Sequence, residues 1–106
     1  DSPALDIASQ LFAAGAQVSV HDPKAIANAR RRFPELNYQS DIESALAGAD
    51  LVLHLTEWKE YRALDPAQVG GLVRGRVIID GRNTLDQQAW ERAGWKYRGL
   101  GRTTRR

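Results

Sequence analysis

Two short polar strings carry the side chains best suited to chemistry in this sequence: Leu55-Thr56-Glu57-Trp58, after an apolar run at 51–53, and Asp80-Gly81-Arg82-Asn83, after another at 77–79. Both runs read as strands, and ligands in an open α/β sheet bind beyond the carboxyl ends of the strands. Arg82 is the first residue to consider. A guanidinium on such a loop can form charge-assisted, bidentate hydrogen bonds to a pyrophosphate or a ribose, and Gly81 permits close backbone approach. The competing reading pairs the same arginine with Asp80 or with a helix C-terminus. Thr56, Glu57 and Trp58 are a hydroxyl, a carboxylate and an indole that could bind a ribose and stack a base. They could also cap the following short helix and anchor it by burying the ring, and this structural role is the favoured one.

Other chemistries find little support. The chain has 106 residues and no cysteine, which excludes disulfides, a thiolate nucleophile and Cys-based metal sites. His21 and His54 lie far apart with no third ligand at metal spacing, which argues against zinc. His54, inside an apolar strand, reads as a hydrogen-bonded core group and not as a base. Asp22 stands where dinucleotide folds place the acidic residue that binds ribose, but Pro23 directly after it makes helix capping the simpler account. No glycine-rich turn precedes Asp22 at the required distance, and no helix follows Gly99-x-Gly101, so neither is a dinucleotide fingerprint. The formal charge of +2 requires no polyanionic partner, although most of the 15 basic residues are arginine and three arginines fall in the last five positions. Nucleic-acid binding would need a contiguous basic face, and the acids scattered through the same helices count against one. Arg30-Arg31-Arg32 reads as the solvated side of a helix. No run approaches the length of a membrane span, and the N-terminus opens on a helix cap instead of a signal segment, so a cytoplasmic location is expected.

The elements that must position these loops alternate regularly. Ser2 and Pro3 open a helix whose inner face is Ala4, Leu5, Ala8, Leu11 and Phe12, and Gly15 stops it. A strand follows at 16–21. Asp22-Pro23 starts a second helix with Ile26, Ala29 and Phe33 buried, ended by Pro34. A short extended piece at 36–38 precedes Ser40 and Glu43, spaced as a capping box for a helix carrying Ile42, Ala45, Leu46 and Ala49. The run at 51–55 reads as a parallel strand covered on both sides. Asp65-Pro66 opens a helix with Val69, Leu72 and Val73, weakened by about 1 kcal/mol for each of Gly70 and Gly71. A strand at 76–80 comes next. Asp86 caps a helix running through Ala93, with Leu85 and Trp90 placed as a hydrophobic staple and Gly94 as its stop. A last strand at 95–100 leads into a basic tail at 103–106 with no apolar pattern. The scheme predicts one α/β domain over 1–102, a three-layer α/β/α Rossmann-like sandwich with a mainly parallel sheet.

Five strings in register identify a resemblance: Asp1-Ser2-Pro3-Ala4-Leu5-Asp6, His21-Asp22-Pro23, the "LTEW" at 55–58, the "DGRN" at 80–83 and Tyr97-Arg98-Gly99-Leu100-Gly101-Arg102. Together they resemble the C-terminal, UDP-binding domain of UDP-glucose 6-dehydrogenases, within the UDP-glucose/GDP-mannose dehydrogenase family. That family performs an NAD-dependent, four-electron oxidation of UDP-glucose to UDP-glucuronate, mostly through an N-terminal Rossmann domain and a central helical dimerisation region. Its C-terminal domain closes over the nucleotide, and its "DGR" arginine, here Arg82, faces the UDP-sugar. The family places an aliphatic residue at His54 and a tyrosine at His21.

The resemblance also implies what this chain leaves to other segments. The catalytic cysteine, lysine and asparagine and the dinucleotide fingerprint belong to regions outside the sequence, so the chain is expected not to oxidise anything alone and to hold no cofactor itself, NAD belonging to the whole enzyme. A glycine-rich strand that the family sets just before "DSPAL", at the middle of the sheet, is likewise outside it. Three outcomes are open: loss by truncation, direct pairing of the strand at Ala16 with that at Leu51, or exchange of elements with a second copy. An unpaired strand edge invites association, so a homo-oligomer is expected. The leading function is a UDP-glucose or UDP-sugar binding domain using Arg82 with Gly81, Asp80, Thr56, Glu57 and Trp58 and backbone amides at the strand ends. The alternative is an interaction module that keeps the fold and has lost nucleotide affinity.

Overall fold

Proline, aspartate and glycine punctuate the chain, and helices and parallel strands alternate between them. The computed structural model describes residues 3–22, 26–56 and 58–99, which fall into two units, Asp1–Ala45 and Leu46–Arg106. The expected cap Ser2, Pro23 at the expected start of the second helix, Glu57, Leu100 and the basic tail lie outside the described residues.

In the first unit α1 (Pro3–Ala13) ends at Gly15, whose φ of 103° is the left-handed conformation that closes a helix at low steric cost. β1 (Ser19–Val20) and β2 (Asn37–Tyr38) pair in parallel around α2 (Ile26–Arg32). Leu5, Ala8, Ala29 and Leu36 form the core, with Val18, Val20, Phe33 and Tyr38 packed on it. The Tyr38 hydroxyl donates toward the carbonyls of Phe33 (2.8 Å) and Ala29 (3.0 Å), which ties the end of α2 to β2. α3 (Ile42–Leu46) follows, and its last residue is the first of the second unit.

The second unit holds β3 (Val52–His54), α4 (Lys59–Arg62), α5 (Pro66–Gly70), β4 (Val77–Asp80), α6 (Gln87–Arg92) and β5 (Lys96–Gly99). Its sheet is parallel throughout, in the order β3-β4-β5. Val69, Ile78, Leu85, Trp90 and Trp95 make its core. The two indoles meet edge to face at 4.8 Å, and Trp95 Nε1 donates to the Pro66 carbonyl at 2.8 Å, which satisfies the one polar atom of a large buried ring. Asp65 and Asp86 cap α5 and α6 as expected, accepting from the amides of Ala67 and Ala89. Leu85 and Trp90 share the core as the staple requires.

Several expectations are corrected. The strands divide between two sheets instead of one: β1 pairs with β2 in the first unit, and β3, β4 and β5 pair in the second. Strands are shorter than the apolar runs, because a ladder extends only where both partners are extended. Leu51 lies outside β3 and is 44% exposed, while Val52 and Leu53 are half-buried, so this strand is not covered fully on both faces. Leu11 and Phe12, assigned to the inner face of α1, are exposed, the small core of this unit ending at Ala8. α3 is capped by Asp41 and not by Ser40. Its carboxylate accepts from the Ser44 amide at 2.9 Å and the Ser44 hydroxyl at 3.0 Å, and these bonds hold the Asp41 carboxyl below the usual range. α5 stops at Gly70, leaving Leu72 and Val73 beyond it, as two helix-weakening glycines in succession dictate.

Opposite the polar loops, the entrances to β3 and β4 are stapled together. The amides of Arg74 and Gly75 both donate to the Ala49 carbonyl, and a Cβ at Gly75 would stand 2.7 Å from the Asp50 carbonyl oxygen. At Gly71 the nearest atom to such a Cβ is 3.5 Å away, an ordinary contact. Gly75→Ala should therefore lower stability by about 1–3 kcal/mol in urea denaturation, since backbone must shift. Gly71→Ala should stay within about 0.5 kcal/mol of the parent.

Candidate functional site

Parallel register, set by the apolar runs, brings the carboxyl ends of three strands level. His54 stands beside Asp80, and Asp80 beside Gly99. Because side chains alternate along a strand, Ile78 and Asp80 share a face, and so do their partners Val52, His54 and Tyr97. Ile78 belongs to the apolar core and Asp80 stands at its polar end. The loops after β3 and β4 leave the same end of this sheet.

Asp80 organises the second loop. It is fully buried, and its carboxylate accepts from the Tyr97 hydroxyl (2.7 Å), the Leu85 amide (2.9 Å) and the Arg82 amide (3.1 Å). Burial alone would raise its pKa. The hydrogen bonds from Tyr97, Leu85 and Arg82, with His54 nearby, outweigh that penalty and hold the carboxyl below the usual range. The Gly81 amide donates to the His54 carbonyl at 2.8 Å. Asn83 has a φ of 56°, so asparagine and not Gly81 takes the left-handed position of the turn. The amides of Gly81, Arg82 and Leu85 are thus engaged inside the protein. Arg82 itself is exposed, and the contact that Asp80 makes with it is to the backbone amide.

His54 is the buried neighbour of this loop. Its Nε2 lies 2.8 Å from Thr84 Oγ1 and 3.8 Å from Asp80 Oδ1, and its ring meets the edge of Tyr61 at 5.7 Å. This is the hydrogen-bonded core histidine expected from the sequence. Sequence reasoning missed Thr84 as the partner of His54 and Tyr97 as the partner of Asp80. The available signal was that a buried Asp80 must find donors from adjacent strand ends. In the first loop Thr56 and Trp58 are half-buried. Trp58 is the N-cap of α4 but makes no side-chain cap hydrogen bond, and its carbonyl accepts from the Tyr61 amide at 3.0 Å.

Nothing among the described residues fits a metal ion, since no three His, Asp or Glu side chains cluster. The loop after β4 holds one glycine, and the helix starts at α5 and α6 carry the carboxylates of Asp65 and Asp86, which repel phosphate. No described helix is long and apolar enough to cross a membrane.

The Asp80 network makes a sign-specific prediction. Its pKa is lower folded than unfolded, so its stabilisation is complete above the unfolded value of about 3.9 and is lost as pH falls through the folded value. Asp80→Asn, which presents an amide donor to groups that donate, should cost about 2–4 kcal/mol at pH 7. In urea denaturation the gap between parent and variant should narrow below about pH 4.

Comparison with known proteins identifies relatives of this chain. Residues 1–87 match the sequence model of the UDP-glucose/GDP-mannose dehydrogenase family, UDP binding domain. UDP-glucose 6-dehydrogenase TuaD of Bacillus subtilis (strain 168) is 37% identical over 102 residues, which cover 95% of this chain and 22% of that protein. UDP-glucose 6-dehydrogenase AglM of Haloferax volcanii is 38% identical over 99 residues, covering 93% of this chain and 22% of the relative. Among solved structures, a UDP-D-ManNAc dehydrogenase from Pyrococcus horikoshii has the same fold, with a TM-score of 0.58 at 19% identity over 93% of this chain and 29% of that one. The chain spans about a fifth of the length of the two curated relatives. With the match extending over 87 of 106 residues, the chain belongs to the UDP-glucose/GDP-mannose dehydrogenase family and corresponds to its C-terminal UDP-binding domain.

Proposed function

We propose that this domain binds the UDP moiety of a nucleotide sugar, UDP-glucose or a related UDP-sugar, and that Arg82 is the residue that meets its pyrophosphate. The observation that carries this reading is the loop itself: Asp80 fixes its backbone from within while Arg82 remains exposed. A guanidinium on a pre-formed loop binds phosphate with less ordering cost than one on a mobile segment. Asp80 and Gly81 act by shaping the loop, their polar groups being engaged within it. Thr56 and Trp58, half-buried at the neighbouring strand exit, are further candidates for the site, and Glu57, which lies outside the described residues, joins them on the sequence alone. In a complete dehydrogenase the oxidation of UDP-glucose with NAD is the work of other regions, and this domain supplies substrate binding.

A second reading has its own observation. α1 leaves Ile7, Leu11 and Phe12 between 36% and 42% exposed, which is apolar surface suited to pairing with another copy. Under this reading the chain is an interaction module within a homo-oligomer.

Calorimetric titration of the chain with UDP, with its mass measured at the same concentration, separates the two. Saturable binding that weakens at least about tenfold in Arg82→Ala and vanishes in Arg82→Glu supports the nucleotide reading. Absence of binding at about 1 mM UDP, with self-association unchanged by Arg82→Glu, would overturn it in favour of the interaction module.

A further inference from the structure

We infer that His54 is a positioning residue for nucleotide binding, acting through Thr84 to set the loop that carries Arg82. The inference rests on the reading of Arg82 as the pyrophosphate-facing residue. Four observations converge on His54. Its carbonyl accepts from the Gly81 amide, the first residue of the loop, at 2.8 Å. Its Nε2 holds the Thr84 hydroxyl, at the far side of Arg82 and Asn83, at 2.8 Å. It is 7% exposed, so bulk water competes poorly for that bond. Its ring packs on Tyr61 of α4, the helix that follows the Leu55-Thr56-Glu57-Trp58 loop.

One side chain therefore touches the structure built on both strand-end loops. Asp80 restrains the same segment at the amides of Arg82 and Leu85, and Asn83 between them is left-handed. The bonds that the Asp80 carboxylate accepts from these amides fix where the chain enters and leaves the turn. They do not hold the Thr84 side chain. The imidazole supplies that restraint, and with it the direction in which the two residues before Thr84 face. Among the described residues, the ring stands near Asp80 on β4, whose carboxylate Tyr97 on β5 also reaches, and it meets Tyr61 on α4.

The reach of the side chain gives a discriminating test. Glutamine can place an amide near the position of Nε2, whereas asparagine is too short and leaves Thr84 without its partner. In the 106-residue chain, His54→Asn and Thr84→Val should each weaken UDP binding about tenfold, as measured by calorimetry. The double variant should be no weaker than either single one, since both remove the same bond. His54→Gln and Thr84→Ser should bind within about twofold of the parent. A residue that merely fills the core would lower the melting temperature in all these variants and leave UDP affinity of the folded fraction unchanged, and that result would overturn the proposal. Additive losses in the double variant would overturn it as well.

Amide resonances of Arg82 and Asn83, recorded without ligand, keep the two readings apart. Displacement in His54→Asn and Thr84→Val with return to parent positions in His54→Gln supports the positioning role, even for a chain that takes up no UDP. Resonances unmoved by His54→Asn would overturn the positioning role even where UDP binds through Arg82.

Discussion

A carboxylate with no exposure to solvent is the constraint around which the second unit is arranged. Removing such a group from water costs several kcal/mol unless donors replace the lost hydration. Asp80 draws those donors from β5 through Tyr97 and from its own loop through Arg82 and Leu85. Satisfying it fixes the position of β5 beside β4, the path of the turn and the point where the chain enters α6. Leu85, whose amide is one of the donors, is also the apolar residue that staples α6 to the core. A polar requirement and an apolar one thus meet in one residue.

The two ends of this sheet divide labour. At the entrances of the strands, Gly75 lies against the Asp50 carbonyl, and Arg76 donates to the carbonyls of Gly70 (3.3 Å) and Ala93 (2.8 Å), closing the ends of α5 and α6. Those contacts are backbone-directed and tight. At the exits, the loops carry the exposed arginine, a left-handed asparagine and the half-buried Thr56 and Trp58. Rigidity at one end and polar groups at the other is the arrangement expected of an α/β unit whose site lies beyond the carboxyl ends of its strands.

Helix boundaries were the most legible part of the fold, because their determinants are local. Asp65-Pro66, Asp86 and Gly94 act within one turn, and each does in the structure what its type predicts. The displacement of the α3 cap from Ser40 to Asp41 shows the limit of that reasoning. Two adjacent residues can both cap, and where the helix starts decides between them. Strand lengths were less legible, since a ladder stops where its partner stops. The partition of the strands between two sheets could not be read from periodicity, which gives a strand its faces but not its neighbours.

By itself the sequence determined the alternation of helices and strands, the placing of polar residues at strand exits and the resemblance to the UDP-binding domain. All of these follow from residue type and spacing along the chain. It also placed His54 as a hydrogen-bonded core residue, because an imidazole in an apolar strand must find a partner. Tertiary structure decided which partner. Thr84 and Tyr97 lie 30 and 17 residues from His54 and Asp80 respectively, and only the register of parallel strands brings them within hydrogen-bonding distance. The same register settled that Asp80 faces inward to shape the loop while Arg82 stays exposed, since a buried charge takes its place from the donors that converge on it and not from its neighbours in sequence.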